Sequence, residues 1–140
     1  MSIIKTSSLE ETEALGKRIA DSLKGTEVIA YFGGLGMGKT TLTRAIVKNL
    51  GSKDDASSPT FAIVNEYRAK FPVYHFDMYR VKSWDDLYST GFFDYLDCGV
   101  IFIEWSENIE NALPDETLKI TITRGSGESD RIFTIEGLEI

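Results

Sequence analysis

Val28-Ile29-Ala30-Tyr31-Phe32 runs directly into Gly33-Gly34-Leu35-Gly36-Met37-Gly38-Lys39-Thr40-Thr41. The first five residues are apolar and β-prone, which predicts a short buried strand. Residues 33–40 fit G-x-x-x-x-G-K-T/S, and Leu42, Ala45, Ile46 and Leu50 then recur at helical spacing. Strand, glycine loop and helix in that order predict a phosphate cradle, with the helix starting near Lys39. Gly33, Gly34, Gly36 and Gly38 let the backbone bend until successive N–H groups, those of Met37 and Thr41 among them, converge on an anion. The helix adds the positive end of its dipole. Lys39 is placed to neutralise β- and γ-phosphates, and the Thr40 hydroxyl to ligate Mg2+. The alternative is a glycine-rich turn that matches by chance. Four glycines, the Lys-Thr pair and the correct flanks weigh against it, and the stretch implies a nucleoside triphosphate site.

Outward from this stretch, Ile3-Ile4-Lys5 predicts a weak first strand. Ser8 with Glu11 forms a capping box for a helix bearing Leu15, Ile19 and Leu23 on one face, and Gly25 stands where a C-terminal cap belongs. Gly51 ends the second helix. Residues 52–58 read as loop, and Pro59 biases Ser58 to an extended backbone. Residues 62–67 and 73–79 predict two strands, and their short connection favours an antiparallel hairpin. Ser83 caps a short helix that ends near Gly91, and residues 92–96 predict a further aromatic turn packed on the sheet. Residues 99–104 form the most apolar run and belong in the middle of the sheet. A short helix from Ser106 stops before Pro114. Residues 117–123 and 131–135 alternate with period two around Gly125-Ser126-Gly127, a half-exposed hairpin. The whole predicts a three-layer α/β fold of the P-loop NTPase kind, with a parallel central sheet and antiparallel additions.

The chain of 140 residues predicts a single domain, residues 1–140, and its 42% apolar content suffices for a core. A net charge of −7 argues against a surface that grips nucleic acid through its phosphates, since the basic residues are scattered along the chain. Any RNA is then expected to be held by a partner. Cys98 stands alone, which excludes an internal disulfide. The N-terminal residues lack the apolar core of a signal peptide, and no run approaches the roughly 18 residues of a membrane span. These observations predict an acidic cytosolic (cytoplasmic) protein with no membrane association.

A phosphate loop needs a second acidic group on the metal side, commonly where a neighbouring apolar strand ends. Glu104 ends residues 100–103 and is assigned that place, directly or through a water. Asp77, one residue past Phe76, is assigned to positioning water or supporting the site. Either is otherwise an ordinary strand-end carboxylate. Thr60 follows Pro59 in an irregular loop, where its hydroxyl and N–H can meet a γ-phosphate in the manner of switch loops; a proline-led strand entry is the plainer alternative. His75, the lone histidine, reads as a packed, hydrogen-bonded residue rather than a proton carrier. Trp105 either roofs the loop or caps the core, with core preferred. Arg80 reaches phosphate or pairs with Asp77, Arg18 and Arg44 read as solvated, and Phe92, Phe93 and Tyr95 as core.

Residues 33–41, Ser58-Pro59-Thr60-Phe61, His75-Phe76-Asp77-Met78-Tyr79-Arg80 and Ile103-Glu104-Trp105 occur in the order and spacing of the TsaE (YjeE) family of small bacterial P-loop ATPases, which this chain resembles over about residues 8–115. The resemblance implies a part in making N6-threonylcarbamoyladenosine (t6A) on tRNA, without transfer of the carbamoyl group by this protein. It implies binding to a heterodimer of TsaD, the transferase, and TsaB, with weak ATP hydrolysis until engaged. It carries phosphate contact to Lys39, Mg2+ to Thr40 and Glu104, a switch-like loop to Thr60, and a requirement for activity to Asp77. The purine contacts fall outside these motifs. Two rival readings share the loop. A small-molecule or nucleotide kinase needs an arginine-bearing lid, for which six scattered arginines offer little. A nucleotide-sensing module binds without useful turnover. A GTPase lacks support because no N-K-x-D sequence occurs.

Overall fold

The computed structural model describes residues 1–34, 36–53 and 64–139. Its elements are β1 (Ser2–Thr6), α1 (Leu9–Ser22), β2 (Val28–Phe32), α2 (Gly36–Asn49), β3 (Val64–Arg68), β4 (Pro72–Asp77), α3 (Trp84–Ser89), α4 (Phe92–Tyr95), β5 (Val100–Glu104), a 3₁₀ segment (Ser106–Ala112), β6 (Leu118–Arg124) and β7 (Arg131–Glu136). The strands form one seven-stranded sheet in the order β1-β7-β6-β2-β5-β4-β3. β6, β2, β5 and β4 are mutually parallel, while β3, β7 and β1 join antiparallel at the flanks. A parallel centre must be covered on both faces. Leu15, Ile19, Leu42 and Ile46 of α1 and α2 accordingly pack on Ile29, Tyr31 and Phe102, whereas Leu87, Phe92 and Ile109 cover Ile101, Ile103 and Phe76 from the other side. The three-layer α/β expectation with antiparallel additions is met.

The apolar run around residues 100–103 lies between β2 and β4, and all four of those side chains are inaccessible to solvent. Full burial of such side chains is worth about 1.5–3 kcal/mol each, which fixes this strand inside the sheet. The C-terminal hairpin occupies a place its alternation does not reveal. β6 inserts beside β2 in parallel, burying Leu118, Ile120 and Ile122 while Thr123 and Arg124 face solvent.

Caps follow the sequence in most places. Ser8 Oγ accepts from Glu11 N at 3.2 Å, and the Glu11 carboxylate reaches back to Ser7 N at 3.0 Å, one residue beyond the expected box partner. Ser83 Oγ accepts from Asp86 N at 3.1 Å. α2 ends in a Schellman motif, with Gly51 at φ +91° and the N–H groups of Gly51 and Ser52 donating to the carbonyls of Lys48 and Val47. Gly25 is not the cap of α1. The helix stops at Ser22 with Leu23 extended, because Glu27 captures the chain that follows. Its carboxylate accepts from Lys24 N at 2.7 Å, Gly25 N at 2.9 Å and Thr26 N at 3.2 Å.

Burial acts to raise the Glu27 pKa, but the amides of Gly25, Lys24, Glu27 and Thr26 outweigh it and hold the group below the ordinary glutamate value. A depressed folded-state pKa adds stability above the unfolded value that is lost as pH falls through the folded one. Glu27→Gln is therefore expected to cost about 1 kcal/mol at pH 7, with the gap to wild type shrinking from about pH 4.3 downward. Urea unfolding of both proteins at neutral and acid pH measures it.

Candidate functional site

α2 begins at Gly36, three residues ahead of the expected start, so Lys39 and Thr40 lie within the helix. The leading N–H groups of an α-helix have no acceptor inside it, which adds the amides of Gly36, Met37, Gly38 and Lys39 to those of the preceding loop. No acidic residue occupies this first turn, so nothing there offsets the positive end of the dipole. Two of the glycines also answer to the protein itself. Gly33 has φ +100°, and a Cβ there would stand 2.4 Å from the Ile122 carbonyl oxygen. A Cβ on Gly38 would come within 3.1 Å of the Ile122 side chain, whereas one on Gly34 would meet none of the described residues within 4 Å. The loop thus sits on β6, and close packing against Ile122 by itself demands glycine at Gly33 and favours it at Gly38.

The first turns of α2 are tied to β2. Tyr31 and Thr43 share a buried hydroxyl–hydroxyl hydrogen bond of 2.7 Å, and Thr43 Oγ1 lies 2.8 Å from the Lys39 carbonyl oxygen. Lys39 is 9% exposed, Thr40 and Thr41 are half-buried, and Gly34 is exposed. Thr60 and the surrounding Ser58-Pro59-Thr60-Phe61 stretch lie outside the described residues, as does Leu35.

β4 and β5 bring the two carboxylates together. Asp77 and Glu104 are register partners at the carboxyl ends of these parallel strands. Side chains alternate along a strand, so Glu104 shares the face of Phe102, whose ring stacks on Tyr31 with centroids 6.1 Å apart. That is the face covered by α2. Burial raises the Tyr31 pKa well above the ordinary phenol range; the Thr43 hydrogen bond opposes this, and the nearby Glu104 charge adds to it. Glu104 therefore stands beside the strand that leads into the glycine loop. Asp77 Oδ1 accepts from Tyr79 N at 2.9 Å, which tightens the turn leaving β4.

His75 is buried as expected, and its contact is specific. Its Nε2 lies 2.9 Å from Glu104 Oε2, while its Nδ1 lies 3.5 Å from the Tyr67 hydroxyl. Trp105 does not join the core. It adopts a left-handed backbone (φ 61°, ψ 40°) directly after Glu104, remains 47% exposed and meets Tyr79 edge-on at 4.9 Å. The turn out of β5 throws the ring outward, a reversal that strand-and-burial patterning cannot foresee. Arg80 is exposed and, among the described residues, forms no ion pair with Asp77; it lines a cavity with Tyr79, Lys82, Trp105 and Asn108. Phe92 is fully buried, with Phe93 and Tyr95 partly so.

Two further cavities reach the loop helix at Thr41. One, of about 430 Å3, is bounded by Ser8, Thr12, Gly38, Thr41, Arg131 and Phe133 and places the start of α1 and the C-terminal hairpin against the loop. Ser8, Thr12, Arg131 and Phe133 come from opposite ends of the chain, and no local signature in the sequence marks them as a site. The other, of about 720 Å3, runs between α1 and α2 and gathers Lys17, Arg44, Lys48 and Lys53 with Glu13. Cations scattered in the linear order are thus partly collected in space, although Lys17 is paired with Asp21 at 3.0 Å.

The model of the family described as threonylcarbamoyl adenosine biosynthesis protein TsaE matches residues 6–133. The chain belongs to the TsaE family. Proteins named tRNA threonylcarbamoyladenosine biosynthesis protein TsaE are similar to it over most of its length. That of Bacillus subtilis is 39% identical over 136 residues, covering 95% of this chain and 85% of the relative. That of Aquifex aeolicus is 41% identical over 129 residues, covering 90% and 91%. The crystal structure of Bacillus subtilis YdiB superposes with a TM-score of 0.72 at 36% identity, covering 96% of this chain and 83% of that one. The TsaE family is one of tRNA t6A biosynthesis. No helix among the described residues of this member is long and apolar enough to cross a membrane.

Proposed function

We propose that this TsaE-family protein binds ATP with Mg2+ and hydrolyses it in support of t6A formation, acting on a TsaD–TsaB transferase pair. The observation that carries this reading is the placement of Glu104 at the carboxyl end of β5, on the α2 face and beside Tyr31, whose hydroxyl anchors the first turns of α2. A phosphate cradle and a metal-side carboxylate at adjacent strand ends are what nucleotide hydrolysis requires.

In this reading the amides of residues 33–40 hold the phosphates, and Lys39 neutralises charge on the β- and γ-groups. Thr40 and Glu104 hold Mg2+, a hard cation bound by few protein oxygens together with phosphates and water, and one hydroxyl with one carboxylate fits that demand. The metal supplies charge neutralisation as the terminal phosphoryl leaves. Asp77, fixed through Tyr79 N, orients water beside Glu104. Thr60 meets the γ-phosphate. The nucleoside end occupies the cavity bounded by Ser8, Thr12, Arg131 and Phe133, which adjoins Gly38 and Thr41 and has a volume suited to a small ligand. tRNA is engaged only through the partners, consistent with the acidic net charge.

Hydrolysis is expected to be weak for the isolated protein and to rise at least tenfold with the transferase pair, since a group supplied in trans can contribute about 10³–10⁵ in rate. Phosphate release with and without the partners measures this. An unchanged rate in their presence would overturn the auxiliary-ATPase reading.

A further inference from the structure

We propose that His75 is a positioning residue that fixes the Glu104 carboxylate for the metal. The inference rests on the reading of Glu104 as the metal-side carboxylate and extends it to a side chain with no part in that reading.

His75 lies in the middle of β4, paired with Phe102 in register, and is 1% exposed. The ring is boxed by aromatic neighbours, with the Phe102 centroid at 6.3 Å edge-on and that of Tyr67 at 6.2 Å. Among the described residues, the imidazole has two polar neighbours. Nδ1 faces the Tyr67 hydroxyl at 3.5 Å, and Nε2 faces Glu104 Oε2 at 2.9 Å. The chemistry of these neighbours assigns the proton. An ionised carboxylate can only accept, so Nε2 is the ring nitrogen that must carry a hydrogen, whereas the Tyr67 phenol facing Nδ1 can either donate or accept. The opposite tautomer would set a lone pair against an anion.

The contact is close but incomplete. Among buried side-chain nitrogen and oxygen atoms of the described residues, His75 Nε2 is the one with no hydrogen bond of acceptable geometry, despite its separation from Glu104. Buried donors are ordinarily satisfied, and a short approach off the hydrogen-bond axis gains only part of the available energy. His75 is held in mid-strand by the surrounding rings at 1% exposure, whereas Glu104 stands at the end of its strand at 13%. Glu104 Oε2 is the oxygen that faces His75, so the ring bears on how the whole carboxylate is turned at the end of β5. Carboxylates that ligate metals are characteristically held by such outer partners, and losing one costs about 10–100-fold in metal affinity.

Titrating Mn2+ into protein saturated with ADP, with free Mn2+ followed by electron paramagnetic resonance, tests this without reference to turnover. His75→Phe keeps the ring and removes the donor. It is expected to weaken Mn2+ binding about 10–100-fold while metal-free ADP affinity stays within about twofold. His75→Gln, whose amide reaches toward the Nε2 position, is expected to recover most of the loss. Tyr67→Phe, which removes the hydroxyl facing Nδ1 and leaves the Nε2 side of the ring in place, is expected to weaken Mn2+ binding far less than His75→Phe. Mn2+ affinity of His75→Phe equal to wild type, alongside a clear loss in Glu104→Gln, would overturn the proposal. Equal affinity in Glu104→Gln would instead overturn the assignment of Glu104 on which it rests. Should His75→Phe not fold, His75→Gln and His75→Asn decide, because the shorter amide cannot reach Glu104; equal Mn2+ affinity in those two variants counts against the proposal.

Discussion

Lys39→Ala is expected to weaken ATP binding by at least about 100-fold and to reduce phosphate release to background. The ammonium belongs to a residue only 9% exposed, at the start of a helix without an acid in its first turn. Hydrogen bonds to charged partners contribute about 1.5–3 kcal/mol each, and contacts to two phosphate groups together exceed the 2.8 kcal/mol or so that corresponds to a hundredfold change. The substitution should not unfold the protein, because alanine is the best helix former and the change removes a desolvated cation. Calorimetric titration with ATP, beside circular dichroism to show an intact fold, checks both halves. Binding within threefold of wild type would remove Lys39 from the site.

Glu104→Ala is expected to separate binding from turnover. Removing a carboxylate next to the phosphates relieves like-charge repulsion, so ATP affinity without metal should hold or improve slightly. The Mg2+-dependent hydrolysis rate should fall by about 10²–10³, the equivalent of the several kcal/mol that a bound metal supplies in the transition state. The fold should survive, since Glu104 stands at the end of β5 and the strand's burial comes from Val100, Ile101, Phe102 and Ile103. His75 Nε2 then loses the carboxylate that faces it, a cost of about 1–3 kcal/mol in stability at most. Turnover that persists at the wild-type rate with saturating Mg2+ would take Glu104 out of the mechanism.

Much of this architecture is legible in the sequence because local signals agree with tertiary demand. The β2–loop–α2 unit, the Ser8 and Ser83 caps, the antiparallel pairing of β3 with β4 and the interior position of β5 each follow from spacing or composition. Three features are not. Gly25 sits at a plausible cap position, but Glu27, two residues on, gathers the neighbouring amides and ends the helix differently. Trp105 looks like core by composition and is turned outward by a left-handed residue conformation that no pattern encodes. β6 alternates like an edge strand, yet lies in parallel beside β2 and forms the floor under Gly33, a long-range pairing invisible to local periodicity.

At the site, the residues that act through their own motif are readable, whereas those that act through juxtaposition are not. Glu104 could be picked out as the acid ending the most apolar run. The approach of His75 to it depends on β4 and β5 being neighbours in one particular register, which sets Asp77 against Glu104 and His75 one pleat behind. The cavity shared by Ser8, Thr12, Arg131 and Phe133 likewise depends on β1 and β7 returning the chain's two ends to one edge of the sheet.

The most direct test of the central claim is a crystal structure of the protein with an adenine nucleotide and Mg2+. The account predicts phosphates seated on the amides of residues 33–40 with Lys39 alongside, and a metal held between the Thr40 hydroxyl and the side of Glu104. Phosphates bound elsewhere, for instance in the cationic groove between α1 and α2, or a metal remote from Thr40 and Glu104, would contradict it.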